Sequence, residues 1–472
     1  MSIAGASQSL NTDSISERES GLQRGLSKAQ IVMIGLGGAI GTGLFMGSGL
    51  AIGYAGPAVI VSYAMAGFVA VVMVFSLSEM AVVHPTAGSF GTYAEPYLNP
   101  WAGFVVRYTY WIAQVIAIGG EAVAAGLYMT FWFPDVPVWM WSLGFCLMLL
   151  YFNSRSVHNF GTVESWFALI KVTAIVLFII LGTATIFGFG HSAVGFHNLT
   201  GLPGGFVPNG LRGIWMAVIV GIFSFNGIEV IAVTSGEVKN PLVAIPAALR
   251  TMAFRLLAFY LLALTIIVTT IPWTMSGVKV VAQSPFVSVF QHSGIAHAAG
   301  IMNFVVITAA LSSMNTNVYL CSRMLFSLSR GSYAPQRLGV LSRKGSPVAA
   351  IMMSGACVLV SAGVSIFTSN AYAYLLGVAL FAAIIVWMFI LASHLSFRRH
   401  HRARDLPVRM PLFPWMQCAG LLMLAAILIT MGRDANLYVS WVYGVPWLIL
   451  ISAAYFIWKA RQGPQIAPPV VS

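Results

Sequence analysis

Gly35-Leu36-Gly37-Gly38-Ala39-Ile40-Gly41-Thr42-Gly43 interrupts the first long apolar run of this chain, with glycine at five of its nine positions. Each glycine costs an isolated helix up to about 1 kcal/mol relative to alanine, so helical geometry is expected to fail within the stretch. Unwound backbone at membrane depth survives only where it is buried in protein or lines a wet cavity. The stretch should therefore face a site and offer its amide groups to a ligand. Gly47 and Gly49, just beyond, fit close helix packing, whereas Gly41-Thr42-Gly43 exceeds what packing needs. The run does not spell G-x-G-x-x-G and follows no strand, which argues against a dinucleotide site.

A second interruption, Phe223-Ser224-Phe225-Asn226-Gly227-Ile228-Glu229, places a polar pair and an acid inside the sixth apolar run. Paired discontinuities at corresponding positions of two halves are the strongest sequence pointer to a solute site at an inverted-repeat interface. Half-helix N-termini can hold a carboxylate there, and freed carbonyls an ammonium group.

The rest of the chain supplies the medium for such breaks. Of 472 residues, 58% are hydrophobic and only 8% charged, against about 25% charged in soluble domains. The apolar runs are continuous, which excludes a barrel, whose strands alternate apolar and polar residues. Twelve spans are expected, near 30–52, 56–78, 101–131, 138–153, 161–188, 213–234, 246–271, 297–326, 347–367, 371–397, 412–432 and 438–459, each long enough for a hydrocarbon core of about 30 Å. The polar residues Met1 to Lys28 contain no apolar segment of the signal-peptide kind. Cys146, Cys321, Cys357 and Cys418 fall in apolar runs without metal-ligand spacing, so neither disulfides nor a metal are expected.

Lys and Arg gather in one set of alternate loops, from Arg18, Arg24 and Lys28 through Lys239, Arg343 and Lys344 to Arg398, Arg399, Arg402, Arg404, Arg409, Lys459 and Arg461. The other set holds only Arg212, Lys279 and Arg433. The positive-inside rule then puts both termini in the cytoplasm. The net charge of +12 needs no nucleic acid, because juxtamembrane cations meet anionic lipid headgroups.

Three charges inside spans are functional candidates on cost alone. Lys171 lies deep in the fifth span, where desolvation disfavours a charged amine. It is a candidate proton carrier, the alternative being a charged lysine bonded to broken-helix carbonyls. Glu121, after Gly119-Gly120, reads as a second proton site, a ligand for a cationic side chain, or a protonated acid bonded to a neighbouring helix. Glu229 ends the second interruption and is expected to link moving helices or to cap a half-helix. Glu79, Glu95 and Glu237, at cytoplasmic ends, are expected to be solvated or gate-forming. Trp101, Tyr110, Trp132 and Trp139 are assigned to interfacial belts.

Taken in order, several motifs resemble the amino acid permeases of the amino acid, polyamine and organocation superfamily. They are Gly37-Gly38-Ala39-Ile40-Gly41-Thr42-Gly43-Leu44-Phe45, Pro85-Thr86-Ala87-Gly88-Ser89-Phe90, Tyr97-Leu98-Asn99-Pro100-Trp101-Ala102-Gly103-Phe104, Phe131-Trp132-Phe133-Pro134, Trp166-Phe167-Ala168-Leu169-Ile170-Lys171-Val172, Phe223 to Glu229, and Ser322-Arg323-Met324-Leu325-Phe326. The resemblance implies an all-α membrane protein of twelve transmembrane helices, a leucine-transporter-like five-plus-five inverted repeat followed by two C-terminal helices. It also implies proton-coupled uptake of an amino acid across the cytoplasmic (inner) membrane, with H+ as coupling ion and no cofactor. By position, Thr42 and Gly43 would bind the substrate carboxylate. The Ala39, Phe223 and Asn226 carbonyls would bind its ammonium, with Ile40, Gly41, Ser224 and Gly227 completing the site and Phe223 as lid. Lys171 would fill the place that sodium takes in sodium-coupled members. Two positions depart from the pattern: Asn226 stands where relatives usually carry Gly, Val or Ile, and Arg107 where many carry Gly. Side-chain selectivity is not carried over.

The implied layout is a cytoplasmic tail over 1–29, a transport core over 30–398, a basic loop over 399–411, two further helices over 412–460 and a second tail over 461–472. Competing readings are an exchanger, a transport-inactive nutrient receptor on the same scaffold, a channel and a membrane enzyme. A receptor is expected to carry a signalling extension, a channel a filter motif, and an enzyme a catalytic cluster inside the spans; the sequence displays none of these.

Overall fold

The computed structural model describes residues 28–86, 88–155, 160–189, 193–238, 241–276, 284–292, 297–342, 345–401, 406, 408–434 and 437–461. Helices dominate, and no β-strand occurs among the described residues. In order the main helices are α1 (Lys28–Ala39), α2 (Thr42–Phe45), α3 (Gly47–Ala55), α4 (Val59–Val83), α5 (Ser89–Tyr97), α6 (Pro100–Met129), α7 (Val138–Arg155) and α8 (Phe160–Phe187). There follow α9 (Gly210–Ser224), α10 (Val230–Val233), α11 (Pro241–Thr270), α12 (Ala298–Arg330), α13 (Val348–Gly363), α14 (Ala371–His400), α15 (Trp415–Arg433) and α16 (Val439–Arg461). Most of the tails expected over 1–29 and 461–472 lies outside the described residues, as do Ala87, Lys239, Lys279, Arg343, Lys344, Arg402 and Arg404.

Nine segments among the described residues are long and apolar enough to cross a membrane, and three shorter apolar helices, Gln30–Ala39, Val138–Asn153 and Gly210–Ser224, accompany them. One of the nine, Thr42–Val83, runs for 42 residues, about 63 Å if straight, or twice a hydrocarbon core. It bends at Gly56-Pro57, where Gly56 takes φ +59. The expected limits 101–131, 161–188 and 371–397 fall within three residues of α6, α8 and α14. The stretch between α8 and α9 contains a short helix, His197–Thr200.

Local chemistry starts α6: Pro100 occupies its first turn, and Asn99 caps it by accepting the Ala102 N–H at 2.8 Å. This helix is the centre of the bundle. Its most apolar window is 78% buried, against 22% for α16 at the periphery. α12 and α14 pack along it, and α7 and α13 close its flank. α1 packs on α8, α11 and α12, and α9 on α3 and α4, so the glycine-rich breaks are enclosed on all sides. The outer faces carry large exposed apolar side chains such as Trp166, Val360, Phe367 and Leu422. A surface of this kind is solvated by lipid and not by water.

Candidate functional site

The first break is narrower than its glycine density suggests. α1 stays helical through Gly35, Gly37 and Gly38, and only Ile40 and Gly41 leave helical geometry before α2 starts at Thr42. Glycine there mainly makes room. A Cβ on Gly37 would lie 2.1 Å from Glu164 Oε1, and one on Gly41 would lie 2.5 Å from Glu121 Oε1. The run admits two carboxylates against the backbone.

Ending α1 frees its last carbonyls, and buried groups of this kind must find donors. Lys171 Nζ donates to Gly37 O at 2.5 Å and to Ile40 O at 3.0 Å. The lysine is fully buried on α8, so the broken helix is pinned by a side chain 131 and 134 residues away. Tyr260 Oη stands 2.9 Å from Ala39 O and 2.8 Å from Ser224 O. One hydroxyl donates to one of them at a time, which leaves the other lone pairs for a ligand.

The amide side of the break is already engaged. Thr42 N–H donates to both oxygens of Glu121 at 3.2 Å, and Ser313 Oγ–H donates to Oε1 at 3.3 Å. Gly43 lies inside the first turn of α2, not in the unwound stretch.

In the second break the chain turns between α9 and α10 over Phe225 to Glu229. Gly227 takes φ +98, and a Cβ on it would stand 2.8 Å from Gly38 O, so both conformation and space require glycine. The Glu229 carboxylate accepts the Gly227 N–H at 3.1 and 3.3 Å and the Gln114 amide at 3.5 Å. It makes no side-chain cap to α10. Ser224 Oγ donates to Gly43 O at 2.8 Å and meets the Tyr63 hydroxyl at 2.8 Å. The two breaks thus touch twice, Gly43 against Ser224 and Gly38 against Gly227.

Between them lies a cavity of about 20 Å³, roughly the room of one ordered water. Gly38, Ala39, Gly41 and Gly43 border it from the first break, and Phe223, Asn226 and Gly227 from the second. Ala117 and Glu121 of α6 and Ser313 and Asn317 of α12 close it. Each of these helix pairs is spaced i, i+4, so it lies on one face. An amino acid fits only if Phe223 or the helix halves move. A larger apolar groove, bordered by Trp166, Leu169, Leu177 and Ile301, lies on the outer surface and offers no comparable polar chemistry.

Six of the expected binding residues therefore line the cavity: Ala39, Gly41, Gly43, Phe223, Asn226 and Gly227. Ile40, Thr42 and Ser224 stand behind it, acting through backbone or bracing bonds. Lys171 sits behind the first break and Glu229 behind the second. Sequence reasoning missed Ser313, Asn317, Ala117 and Glu164. The polar stretch Ser312-Ser313-Met314-Asn315-Thr316-Asn317 within an apolar run was the available signal. Glu164, fully buried about two turns before Lys171 on the same face of α8, accepts from Ser312 Oγ and from Asn315 Nδ2, the latter at 3.0 Å. Its place near the start of the fifth span hid it among terminal charges.

Several expectations for charged and aromatic residues change. Glu79 is buried, not solvated, and is held by His394 at 2.8 Å, Arg398 at 2.8 Å and the Met410 amide. Glu95 pairs with Arg107 at 2.5 Å and Glu237 with Arg323 at 3.0 Å. The basic partners of Glu79 and Glu237 come from helices 315 and 86 residues away, which a linear reading cannot pair, whereas Arg107 lies 12 residues from Glu95 on the next helix. Arg107 lies ten residues before Ala117 on α6, about 15 Å from the cavity, so it does not face a substrate there. Tyr110 is no interfacial residue: it is 1% exposed, in the core beside Glu229. Trp132 and Trp139 are about two-fifths exposed.

Against known sequences, the family model described as Amino acid permease matches residues 30–468. The chain is 38% identical to a gamma-aminobutyric acid permease of Bacillus subtilis (strain 168), over 95% of this chain and 96% of that one. It is 38% identical to an aromatic amino acid transport protein of Escherichia coli (strain K12), over 92% and 95% respectively. An uncharacterized amino acid permease of B. subtilis is 39% identical over 92% and 95%.

Proposed function

The chain belongs to the amino acid permease family, and from that premise we propose that it takes up an amino acid across the cytoplasmic membrane by proton symport. The proposed frame is twelve helices, ten of them in a leucine-transporter-like five-plus-five inverted repeat over 30–398, with both termini cytoplasmic. The substrate carboxylate meets the Thr42 and Gly43 amides. Its ammonium meets the carbonyls of Ala39, Phe223 and Asn226, and Phe223 closes over it.

One observation carries the proton coupling: the Glu121 carboxylate holds the Thr42 amide. Two carboxylates do not share one donor without strong repulsion. Substrate therefore displaces Glu121 only as Glu121 takes up a proton, and the two move inward together. Lys171 supports the same reading, because its Nζ sits on the Gly37 and Ile40 carbonyls and a cation there repels sodium.

The test is uptake of radiolabelled amino acids into proteoliposomes of the purified protein, with and without an inward proton gradient and with and without sodium. Gradient-driven accumulation that ignores sodium supports symport. Sodium dependence overturns it, and uptake that needs internal amino acid but no gradient assigns exchange instead.

A further inference from the structure

Asn226 and Asn317 border the same cavity, one from the second break and one from α12. Neither has a partner among the described residues. Asn226 Oδ1 is buried without a hydrogen bond, and Asn317, only 5% exposed, makes no side-chain hydrogen bond to any described group. Native proteins pair nearly all buried groups such as Asn226 Oδ1, and each exception asks for a reason. Structural roles do not supply one here, because the bracing bonds around the breaks are made by Ser224, Tyr260 and Lys171.

We infer that Asn226 and Asn317 read the substrate side chain, and that the substrate is a neutral amino acid carrying a side-chain carboxamide or imidazole. The inference rests on the transport reading above and narrows it. Two carboxamides present donors and acceptors on separate atoms. A carboxamide or imidazole answers them with a donor and an acceptor that are also on separate atoms, whereas a hydroxyl concentrates both on one oxygen. Apolar side chains would leave both asparagines unpaired, and sites built for hydrogen bonding reject such analogues strongly. An acidic side chain would find no cationic side chain among the residues that line the cavity. A cationic one would find no counter-charge in Glu121 once that residue is protonated to release Thr42. Ala117 and Gly227, which also border the cavity, leave space without adding apolar bulk.

The experiment is displacement of radiolabelled glutamine from the purified full-length protein by unlabelled asparagine, histidine, leucine, phenylalanine, lysine and glutamate. Asparagine and histidine are expected to compete at concentrations at least about tenfold lower than leucine or phenylalanine. Asn317→Leu, which keeps the branching and heavy-atom count while removing the hydrogen-bonding groups, and Asn226→Ala should each shrink that ratio. The ratio is a readout that a merely structural asparagine would not move, and either variant alone decides if the other does not fold. Leucine, phenylalanine or lysine competing as well as asparagine overturns the inference, and so do variants with an unchanged ratio. If labelled glutamine does not bind, direct binding of labelled leucine, phenylalanine, lysine or glutamate overturns the inference alone. Binding of none of them sinks the transport reading together with it.

Discussion

The carboxylate of Glu121 lies on the backbone amide of Thr42, both oxygens 3.2 Å from the nitrogen. The side chain crosses from the central helix to the first break and engages the amide proposed above for the substrate carboxylate. On that proposal the protein carries its own occupant for the site, and that occupant can be neutralised by a proton.

Glu121→Gln fixes this occupant in a neutral form. Substrate binding is expected to become independent of pH and no weaker than wild type at neutral pH, while gradient-driven accumulation falls toward simple equilibration. Equilibrium binding across acid to mildly alkaline pH, beside proteoliposome uptake, checks it. A variant that still accumulates like wild type would place the coupling elsewhere.

Lys171→Ala should abolish accumulation more than binding. It also strips the donor from the Gly37 and Ile40 carbonyls, and an unsatisfied buried group costs about 1–3 kcal/mol. Thermal unfolding of the purified variant is therefore expected to drop clearly. Wild-type accumulation at reduced stability would mean that the lysine only braces the break.

Gly43→Val is expected to lose substrate binding and also stability. A Cβ at this position would stand 2.9 Å from Ser224 Cα, a backbone atom that cannot swing aside, and overpacking of this kind costs about 1–3 kcal/mol. Gly47→Ala is the control, since its nearest neighbour is a Val220 methyl at 3.4 Å. Thermal unfolding of both variants separates wedging of the two breaks from loss of an amide contact. Equal melting temperatures for the two would contradict the packing argument.

Arg107→Gly, which installs the residue many relatives carry, should leave the ranking of competing amino acids unchanged. Its guanidinium serves Glu95, Ser327 and the Gly103 carbonyl, about 15 Å along α6 from the cavity. Removing it takes the cation from Glu95, which keeps the Tyr333 hydroxyl at 3.3 Å, so thermal stability is expected to fall. A changed substrate ranking in competition assays would show that this residue reaches the site.

That long apolar helices make up the chain, where the two breaks fall and that Lys171 is buried were legible in the chain itself. Apolarity, glycine density and the cost of a buried charge are local quantities, and each acts on residues adjacent in sequence. The sequence alone did not reveal that glycine in the first break mostly makes room for Glu164 and Glu121, because those contacts join helices far apart in the chain. Glu121 reaches Thr42 across 79 residues, and Glu164 reaches Ser312 across 148. Whether Ser313 and Asn317 face the cavity or a neighbour depends on the rotation of α12 about its axis, which packing against α6 and α8 sets. Tertiary structure decided which polar groups meet at one point, since several helices must be placed together before a shared cavity exists.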